Sequence, residues 1–299
     1  MKLPPVLGPL RLPFVVLTPC CVAVGVATAY RSAGALDPAW AIWVLLGAIA
    51  SHVSVNAFNE YFDFRSGLDG TTQRTPFSGG SGTLPAHPEL AMTTLVIAVV
   101  ALLVAAWIGV ALVARRGWAL APLGLFGLVL VVTYTTWWAR RPLACLLAPG
   151  LGIGVLVVVG THFSLTGEWS AMALAASLPV ALLVSNLLLL NQFPDVDADR
   201  AVGRRNVPIV HGRDVAARLF TALMTASYLS MVVFVCAGKL PASALLALAT
   251  APLGWAAARS ARRFANDIPA LLPAMRLNVL VNLLTPVLLA LGIAGARHL

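Results

Sequence analysis

Long apolar segments alternate with short polar connections along the whole chain. A helix needs about 20 mainly apolar residues to cross the hydrocarbon core of a bilayer. About nine segments of that length can be placed, at 13–30, 39–62, 90–114, 118–138, 143–162, 171–193, 214–236, 240–258 and 270–293. The pattern predicts an all-α polytopic membrane protein with about nine transmembrane helices. We expect a single domain over residues 1–299, without a separate soluble one.

The composition changes how the charge is interpreted. Hydrophobic residues make up 60% of the chain and charged residues 10%, whereas soluble domains carry about 25% charged residues. A net charge of +9 would indicate a nucleic-acid partner in a soluble protein. With nine spans and a cytoplasmic N-terminus, however, 15 of the 20 Lys and Arg residues fall on the inside, although Arg115 and Arg116 do not. The charge therefore predicts orientation, and no nucleic-acid partner is expected.

Two acidic clusters lie at the ends of the second and sixth apolar segments. Six of the 11 Asp and Glu residues belong to them, at positions 60, 63 and 69 and at positions 195, 197 and 199. A carboxylate at bilayer depth costs about 2.5–3.5 kcal/mol on insertion scales, so such clustering indicates a functional site. In the predicted topology both clusters face the cytoplasm. Each contains an Asn four residues before an Asp, which resembles a weak parallel repeat.

The spacing within the clusters predicts two polar stripes. Residues four apart share a helix face, with side chains about 5–6 Å apart. Asn191, Asp195 and Asp199 form one stripe, from which Asp197 points away. The other stripe consists of Asn56, Asn59 or Glu60, and Asp63. Asp69 lies beyond Gly67, so the direction of its side chain depends on the loop. Two carboxylates at this separation repel by about 3 kcal/mol at an effective dielectric near 20, so cations are expected between them.

The oxygen-only side chains indicate which cation to expect. Asp, Glu and Asn oxygens suit Mg²⁺, which is usually held by a few carboxylates together with substrate phosphates. A diphosphate is therefore the natural partner. Arginines near the clusters are available for the remaining phosphate oxygens: Arg65, Arg74, Arg140, Arg141, Arg200, Arg204 and Arg205. The implied chemistry is metal-assisted departure of diphosphate from a lipid and capture of the allylic cation by a nucleophile.

The segment 66–88 is the longest polar stretch of the chain and is rich in Gly and Pro. So many helix-breaking residues predict an ordered irregular loop, or a short helix, that covers the site.

At these residues the sequence resembles the UbiA-type family of intramembrane prenyltransferases. Asn59-Glu60-Tyr61-Phe62-Asp63 is similar to the family's first motif, with Glu60 in place of the usual Asp. The longer spacing to Asp69 resembles the branch that prenylates dihydroxynaphthoate in menaquinone synthesis. Asp195-Val196-Asp197-Ala198-Asp199 resembles the second motif. Tyr134-Thr135 with Arg140-Arg141-Pro142, and Gly160-Thr161 through Thr166-Gly167, extend the resemblance over most of the chain.

The resemblance implies helices around a central cavity, about two Mg²⁺ ions, an isoprenyl diphosphate donor and a small aromatic acceptor such as 1,4-dihydroxy-2-naphthoate. The protein would lie among lipids in a bacterial plasma membrane. The predicted metal ligands are Asp63, Asp69, Asp195, Asp199 and Glu60. The predicted substrate-binding residues are Asn59, Arg74, Arg140, Arg141, Asn191 and Arg204. The predicted catalytic residues are Asp63, Asp195 and Tyr134.

Several alternatives stay open at this point. Within the family, the acceptor could be non-aromatic, of the phosphoribosyl or glycerol-lipid type. A cation-coupled transporter would also combine polytopic helices with intramembrane acids, but its acids should lie near the bilayer midplane. Tyr134 is either a cavity residue that stabilises a carbocation or an interfacial anchor. His52, one turn before Asn56, is expected to pack between helices, with a cavity-facing position as the alternative.

Overall fold

The structure is a computed structural model that describes residues 4–296. This part of the chain is helical throughout and contains no β-strand. Its main helices are α1 (Leu17–Ala33), α2 (Pro38–Arg65), α3 (Ala91–Arg116), α4 (Ala121–Thr133), α5 (Pro142–Thr166), α6 (Ala171–Asn191), α7 (Arg213–Cys236), α8 (Ala251–Arg263) and α9 (Ile268–Gly295). Each corresponds to one of the nine predicted segments.

Seven of the helical segments in the described residues are long and apolar enough to cross a bilayer. The two exceptions are the fourth and eighth. Helix α4 ends at Thr133, earlier than the predicted 138, because the chain turns there and Trp138 Nε1 donates to Thr133 Oγ1 at 3.0 Å. The eighth segment begins as a 3₁₀ helix, Ala242–Thr250, and α8 starts anew with Pro252 in its first turn, where a proline is well tolerated.

Helices α1 and α6 occupy the middle of the bundle. Helix α1 packs against α2, α5, α6 and α9, and α6 also packs against α5, α7 and α9. On the outside, large apolar side chains of α3 such as Leu103, Trp107 and Val110 are more than 60% exposed. Apolar exposure of this extent along a whole helix face is typical of contact with lipid chains. The protein is therefore an integral membrane protein.

Helix α5 approaches α6 unusually closely. Its segment Gly150–Leu156 is a π-helix, a feature that often lies at functional sites. A Cβ atom at Gly150 or Gly154 would overlap Ala181 of α6, so only glycine allows this contact. Gly152 and Leu156 of this segment line the cavity.

The helices enclose a cavity of about 610 Å³. One face of α2 lines it from end to end, through Val44, Ala48, His52, Asn56, Asn59 and Asp63. At 1.5 Å per residue this face is about 28 Å long, close to the hydrocarbon thickness of a bilayer. The end near Asp63 is polar, whereas the end near Val44 and Trp118 is apolar.

Candidate active site

The two acidic clusters meet at the polar end of the cavity. Asp63 lies in the last turn of α2, and Asp199 lies on the short helix Val196–Ala201 that follows α6. Arg204 bridges them, because one of its terminal nitrogens pairs with Asp63 Oδ1 and the other donates to Asp199 Oδ1 at 3.0 Å. Both carboxylates are almost fully buried. The structure thus joins motifs that are far apart in the sequence.

A second side chain orients Asp199. Asn206 Nδ2 donates to Asp199 Oδ2 at 2.9 Å, while Asn206 Oδ1 accepts from the backbone of Ile209 at 3.0 Å and caps the helix Val207–His211. Asn206 was not predicted as a site residue from the sequence. The signal was available, since Asn directly before Val-Pro is typical of a helix N-cap.

The predicted stripe on the sixth segment is not one continuous helix. Helix α6 ends at Asn191, and a turn that contains Pro194 separates it from the helix Val196–Ala201, because proline cannot donate the hydrogen bond that would continue α6. Asn191, Asp195 and Asp199 nevertheless all line the cavity. Asp197 is exposed and pairs with Arg200 at 3.5 Å, on the side away from the cavity.

Three buried oxygen atoms at the polar end have no hydrogen-bond partner in the described residues: Asp69 Oδ2, Asn191 Oδ1 and Asp195 Oδ1. Buried polar atoms are normally satisfied, so a group that supplies positive charge or donors fits here. Within residues 4–296 no three Asp, Glu, His or Cys side chains are grouped so that they could hold a metal ion by themselves. The three unpartnered oxygens fit Mg²⁺, which keeps waters and takes one or two carboxylates plus phosphate oxygens.

The electrostatics at this end also favour a cation. Burial, followed by the charges of Glu60 and Asp63, raises the pKa of Asp69 to about 7. Burial, followed by the charge of Asp199, raises the pKa of Asp195 to about 7. The pKa of Asp199 is also raised by burial, against the opposing effect of Arg204. Each carboxyl therefore holds a proton more tightly than an exposed one, and an added cation would displace that proton.

Glu60 holds the covering loop in place. It is fully buried, and its Oε1 accepts from Arg11 Nε at 2.6 Å and from the backbone N–H of Ser81 at 2.7 Å. Its Oε2 accepts from the Ser81 hydroxyl at 2.6 Å. Every partner of Glu60 in the described residues is thus a protein group, and its role as a metal ligand stays a prediction. Arg11 was not singled out from the sequence, where a lone Arg before the first apolar segment resembles a topology signal.

The segment 66–88 has the expected form of an ordered loop with short helices, Leu68–Thr71 and Thr83–Ala86. Its backbone N–H at Gly79 donates to Asp195, so the loop contacts both motifs. Gly79 and Gly80 have φ values of +83° and +72°, which favour glycine. A Cβ at Gly80 would lie 3.1 Å from Asp69 Oδ1 and 3.3 Å from Glu60 Oε1. The loop is therefore fitted closely against the acids.

The remaining predicted site residues divide into two groups. Asn59 and Tyr134 line the cavity; Asn59 Nδ2 contacts Thr135 Oγ1 at 3.3 Å, and the Tyr134 hydroxyl hydrogen-bonds to Cys145. Arg74, Arg140 and Arg141 do not line it. Arg74 donates to the backbone carbonyl of Asp69 at 3.4 Å, and Arg141 stacks on the Trp137 ring at 4.0 Å. For these three arginines, phosphate binding stays a prediction.

Known proteins resemble the chain in both sequence and fold. The 1,4-dihydroxy-2-naphthoate octaprenyltransferase of Escherichia coli (strain K12) is 30% identical over 286 residues, which cover 91% of this chain and 89% of that protein. The Bacillus subtilis (strain 168) protein of the same name is 29% identical over 201 residues, and the match spans 62% of its length. UbiA prenyltransferase domain-containing protein 1 of Gallus gallus is 27% identical over 298 residues, covering 94% of this chain and 82% of that protein.

Two solved structures share the fold. The apo structure of a UbiA homolog from Aeropyrum pernix K1 has a TM-score of 0.67 at 19% identity, over 95% of this chain and 97% of that one. A UbiA homolog from Archaeoglobus fulgidus bound to GPP and Mg²⁺ has a TM-score of 0.64 at 13% identity, over 96% and 99%. The profile described as the UbiA prenyltransferase family matches residues 16–294. The resemblance read from the two motifs is thus confirmed: the chain belongs to the UbiA prenyltransferase family and is, on that membership, a prenyltransferase.

Proposed function

We propose that the protein transfers an isoprenyl chain from a polyprenyl diphosphate to an aromatic acceptor of the 1,4-dihydroxy-2-naphthoate type and releases diphosphate. The observation that carries this proposal is the change in polarity along the cavity. Buried acids and two arginines, Arg11 and Arg204, form one end, and mainly apolar side chains form the rest. This matches a donor with an anionic head and a hydrocarbon tail.

The metal belongs to the polar end. Asp63, Asp69, Asp195 and Asp199 would hold about two Mg²⁺ ions, since the five carboxylates at this end, with Glu60, outnumber the arginines beside them, Arg11, Arg74 and Arg204. The three unpartnered oxygens would accept a cation. Bound Mg²⁺ would neutralise the charge that develops on the departing diphosphate. A relative of the same fold is bound to GPP and Mg²⁺, which is consistent with this assignment.

The protein's own side chains carry out the remaining tasks. Arg11 and Arg204 lie beside the acids and would donate hydrogen bonds to the diphosphate oxygens. The side-chain amides of Asn59 and Asn191 would orient the diphosphate. The bond between C1 of the isoprenyl chain and the diphosphate oxygen would break, with its electron pair going to diphosphate. An aromatic carbon of the acceptor would then supply the electron pair for the new bond to C1. The ring of Tyr134 would stabilise the allylic cation between these two steps. The proton that the acceptor ring loses would pass to water or to an oxygen of the released diphosphate.

The acceptor class rests on the relatives. Two proteins named 1,4-dihydroxy-2-naphthoate octaprenyltransferase match at 29% and 30% identity, one of them over most of both chains. The Arg and Lys distribution further supports a cytoplasmic N-terminus and a cytoplasmic polar end. The plasma membrane of a bacterium is proposed from the two bacterial relatives. A transporter is disfavoured because the acids lie at one end of the cavity and not at its middle.

The decisive experiment uses the purified protein in lipid nanodiscs. We would supply geranylgeranyl diphosphate, Mg²⁺ and 1,4-dihydroxy-2-naphthoate, with and without EDTA, and measure diphosphate and prenylated product. Metal-dependent formation of prenylated naphthoate would support the proposal. Metal-dependent donor binding without this product would leave the donor assignment standing and redirect the search to glycerol-lipid or phosphoribosyl acceptors. Absence of donor binding would contradict the proposal.

A further inference from the structure

One histidine lies on the wall of the cavity, away from the acidic clusters. His52 is the only histidine among the described lining residues, and the other ionisable lining side chains belong to the polar end or adjoin it. It shares the lining face of α2 with Asn56 and Asn59, which are four and seven residues further on. The rise of a helix puts it about 10 Å from Asn59, in the direction of the apolar end.

Thr18 of α1 is the hydrogen-bond partner of this ring. Thr18 Oγ1 lies 2.6 Å from His52 Nδ1, and both side chains are buried. Within residues 4–296 the Thr18 hydroxyl has no other hydrogen-bond partner. With Thr18 as the donor to Nδ1, the neutral ring carries its hydrogen on Nε2, and we assign this tautomer to His52.

In a second threonine–histidine pair the histidine is the hydrogen-bond donor. His162 Nδ1 lies 3.0 Å from Thr28 Oγ1, but Thr28 already donates its hydrogen to the carbonyl of Gly25 at 2.8 Å. Thr28 must therefore accept from His162. His162 does not line the cavity, whereas His52 does. This difference in hydrogen-bond direction is expected if His52, but not His162, presents an N–H group to the cavity.

The Nε2 atom of His52 has no hydrogen-bond partner in the described part of the chain. It is not among the fully enclosed unpartnered atoms either, which agrees with a position open to the cavity. A donor diphosphate held by the acids would place its C1 near Asn59 and Tyr134. An acceptor ring that adjoins C1 would lie between that point and His52, beside the donor's hydrocarbon tail, which would continue along the cavity toward Val44 and Trp118.

We infer that His52, held by Thr18, recognises the aromatic acceptor by donating Nε2–H to one of its oxygen substituents. This inference rests on the proposed function and adds the residue that selects the acceptor. A neutral N–H donor suits a phenolic, quinone or carboxylate oxygen. The site would favour an oxygen-bearing naphthalene ring over the bare hydrocarbon, because an acceptor without oxygen would leave a buried donor unpaired.

The test is direct binding of the acceptor without donor or turnover. The Thr18→Val/His52→Phe double variant removes both partners together, which leaves no buried hydroxyl unsatisfied and should preserve folding. His52→Gln retains a donor. Ser51→Ala is the matched control, because Ser51 is the neighbouring lining residue and its hydroxyl bonds to Gly47 of its own helix. Binding of 1,4-dihydroxy-2-naphthoate and of the oxygen-free probe 2-methylnaphthalene is measured in nanodiscs.

We expect the double variant to bind the naphthoate about tenfold more weakly, the size of effect that one lost hydrogen bond produces. Binding of 2-methylnaphthalene and of Mg²⁺ with geranylgeranyl diphosphate should stay within about twofold, and His52→Gln should recover part of the loss. Equal weakening for both naphthalenes, or none, would overturn the inference. So would a wild-type protein that binds no naphthoate, even if it prenylates another acceptor. If naphthoate binding depends on His52 but the donor does not bind, the inference stands and the proposed function fails.

Discussion

The carboxylate of Glu60 accepts both the backbone N–H and the hydroxyl of Ser81, which lies 21 residues further along the chain. These two bonds fasten the covering loop to the end of α2, beside the acids. Arg11 completes the group from the N-terminal side. Glu60 thus helps to hold the loop over the site, together with the contact between the Gly79 backbone and Asp195.

Ser81→Ala should loosen this loop. The change removes one hydrogen bond to a charged group, a loss of about 1.5–3 kcal/mol in local stability. Hydrogen exchange of residues 78–83 should speed up by about tenfold or more, because exchange follows the free energy of local opening. Ser230→Ala is the control, since its hydroxyl bonds to Ser227 of its own helix. Unchanged exchange in the Ser81 variant would show that the bond from the Ser81 hydroxyl to Glu60 does not hold the loop.

Asp195→Asn should abolish turnover while the protein still inserts and folds. The substitution keeps the shape of the side chain but removes the negative charge at a buried oxygen that has no protein partner. We expect weaker Mg²⁺ binding and a fall in diphosphate release of about a thousandfold or more, as for loss of a metal-holding group. Asp63→Ala should behave similarly.

Asp197→Asn provides the matched control for this prediction. Asp197 is only two residues away, but it is exposed and pairs with Arg200 on the outside. Its variant should retain full activity. Full activity of both the Asp63 and Asp195 variants would remove the basis for the metal assignment.

Arg204→Gln should destabilise the protein more than any exposed arginine variant. It leaves the buried carboxylates of Asp63 and Asp199 without their shared partner, and breaking a buried ion pair costs about 3–5 kcal/mol. A lower thermal midpoint in detergent is expected, with partial recovery on adding Mg²⁺. Arg205→Gln, at an exposed neighbouring position, should leave the midpoint unchanged. Equal midpoints for the two variants would contradict the bridging role.

Mg²⁺ binding without donor should strengthen as the pH rises from 6 to 8. The carboxyls of Asp69 and Asp195 have a pKa of about 7, so at pH 6 most of them are protonated and at pH 8 most are not. The cation binds the deprotonated form and releases the protons. Calorimetry in two buffers of different ionisation enthalpy should show an affinity gain of about ten- to a hundredfold and proton release near pH 6.5. A pH-independent affinity would mean that these carboxyls do not contact the metal.

The sequence predicted the architecture because each membrane helix appears in the sequence as a continuous apolar segment of about 20 residues. All nine segments appear as helices, and the two acidic motifs appear at one end of the cavity. The early end of α4 and the division of the eighth segment were missed, because hydropathy alone does not register a turn or a change to 3₁₀ geometry.

The partners of the site residues were less predictable. The contacts of Arg11 with Glu60 and of Arg204 with Asp63 join distant parts of the chain, and no periodicity encodes them. Nor does the sequence show which way an arginine side chain points. Arg140 and Arg141 were expected near phosphate because they lie close to the motifs in the predicted topology, but both lie outside the cavity lining. His52 was expected to pack between helices; the structure shows it both paired with Thr18 and lining the cavity.

Asn206 links the site to the start of α7. The nitrogen of its side-chain amide donates to Asp199 in the site, and the oxygen accepts from the first turn of Val207–His211, the short helix that leads into α7. A displacement of this short helix would therefore also move the group that orients Asp199. We expect the position of α7 to matter for the geometry of the site, although α7 is not among the elements that line the polar end.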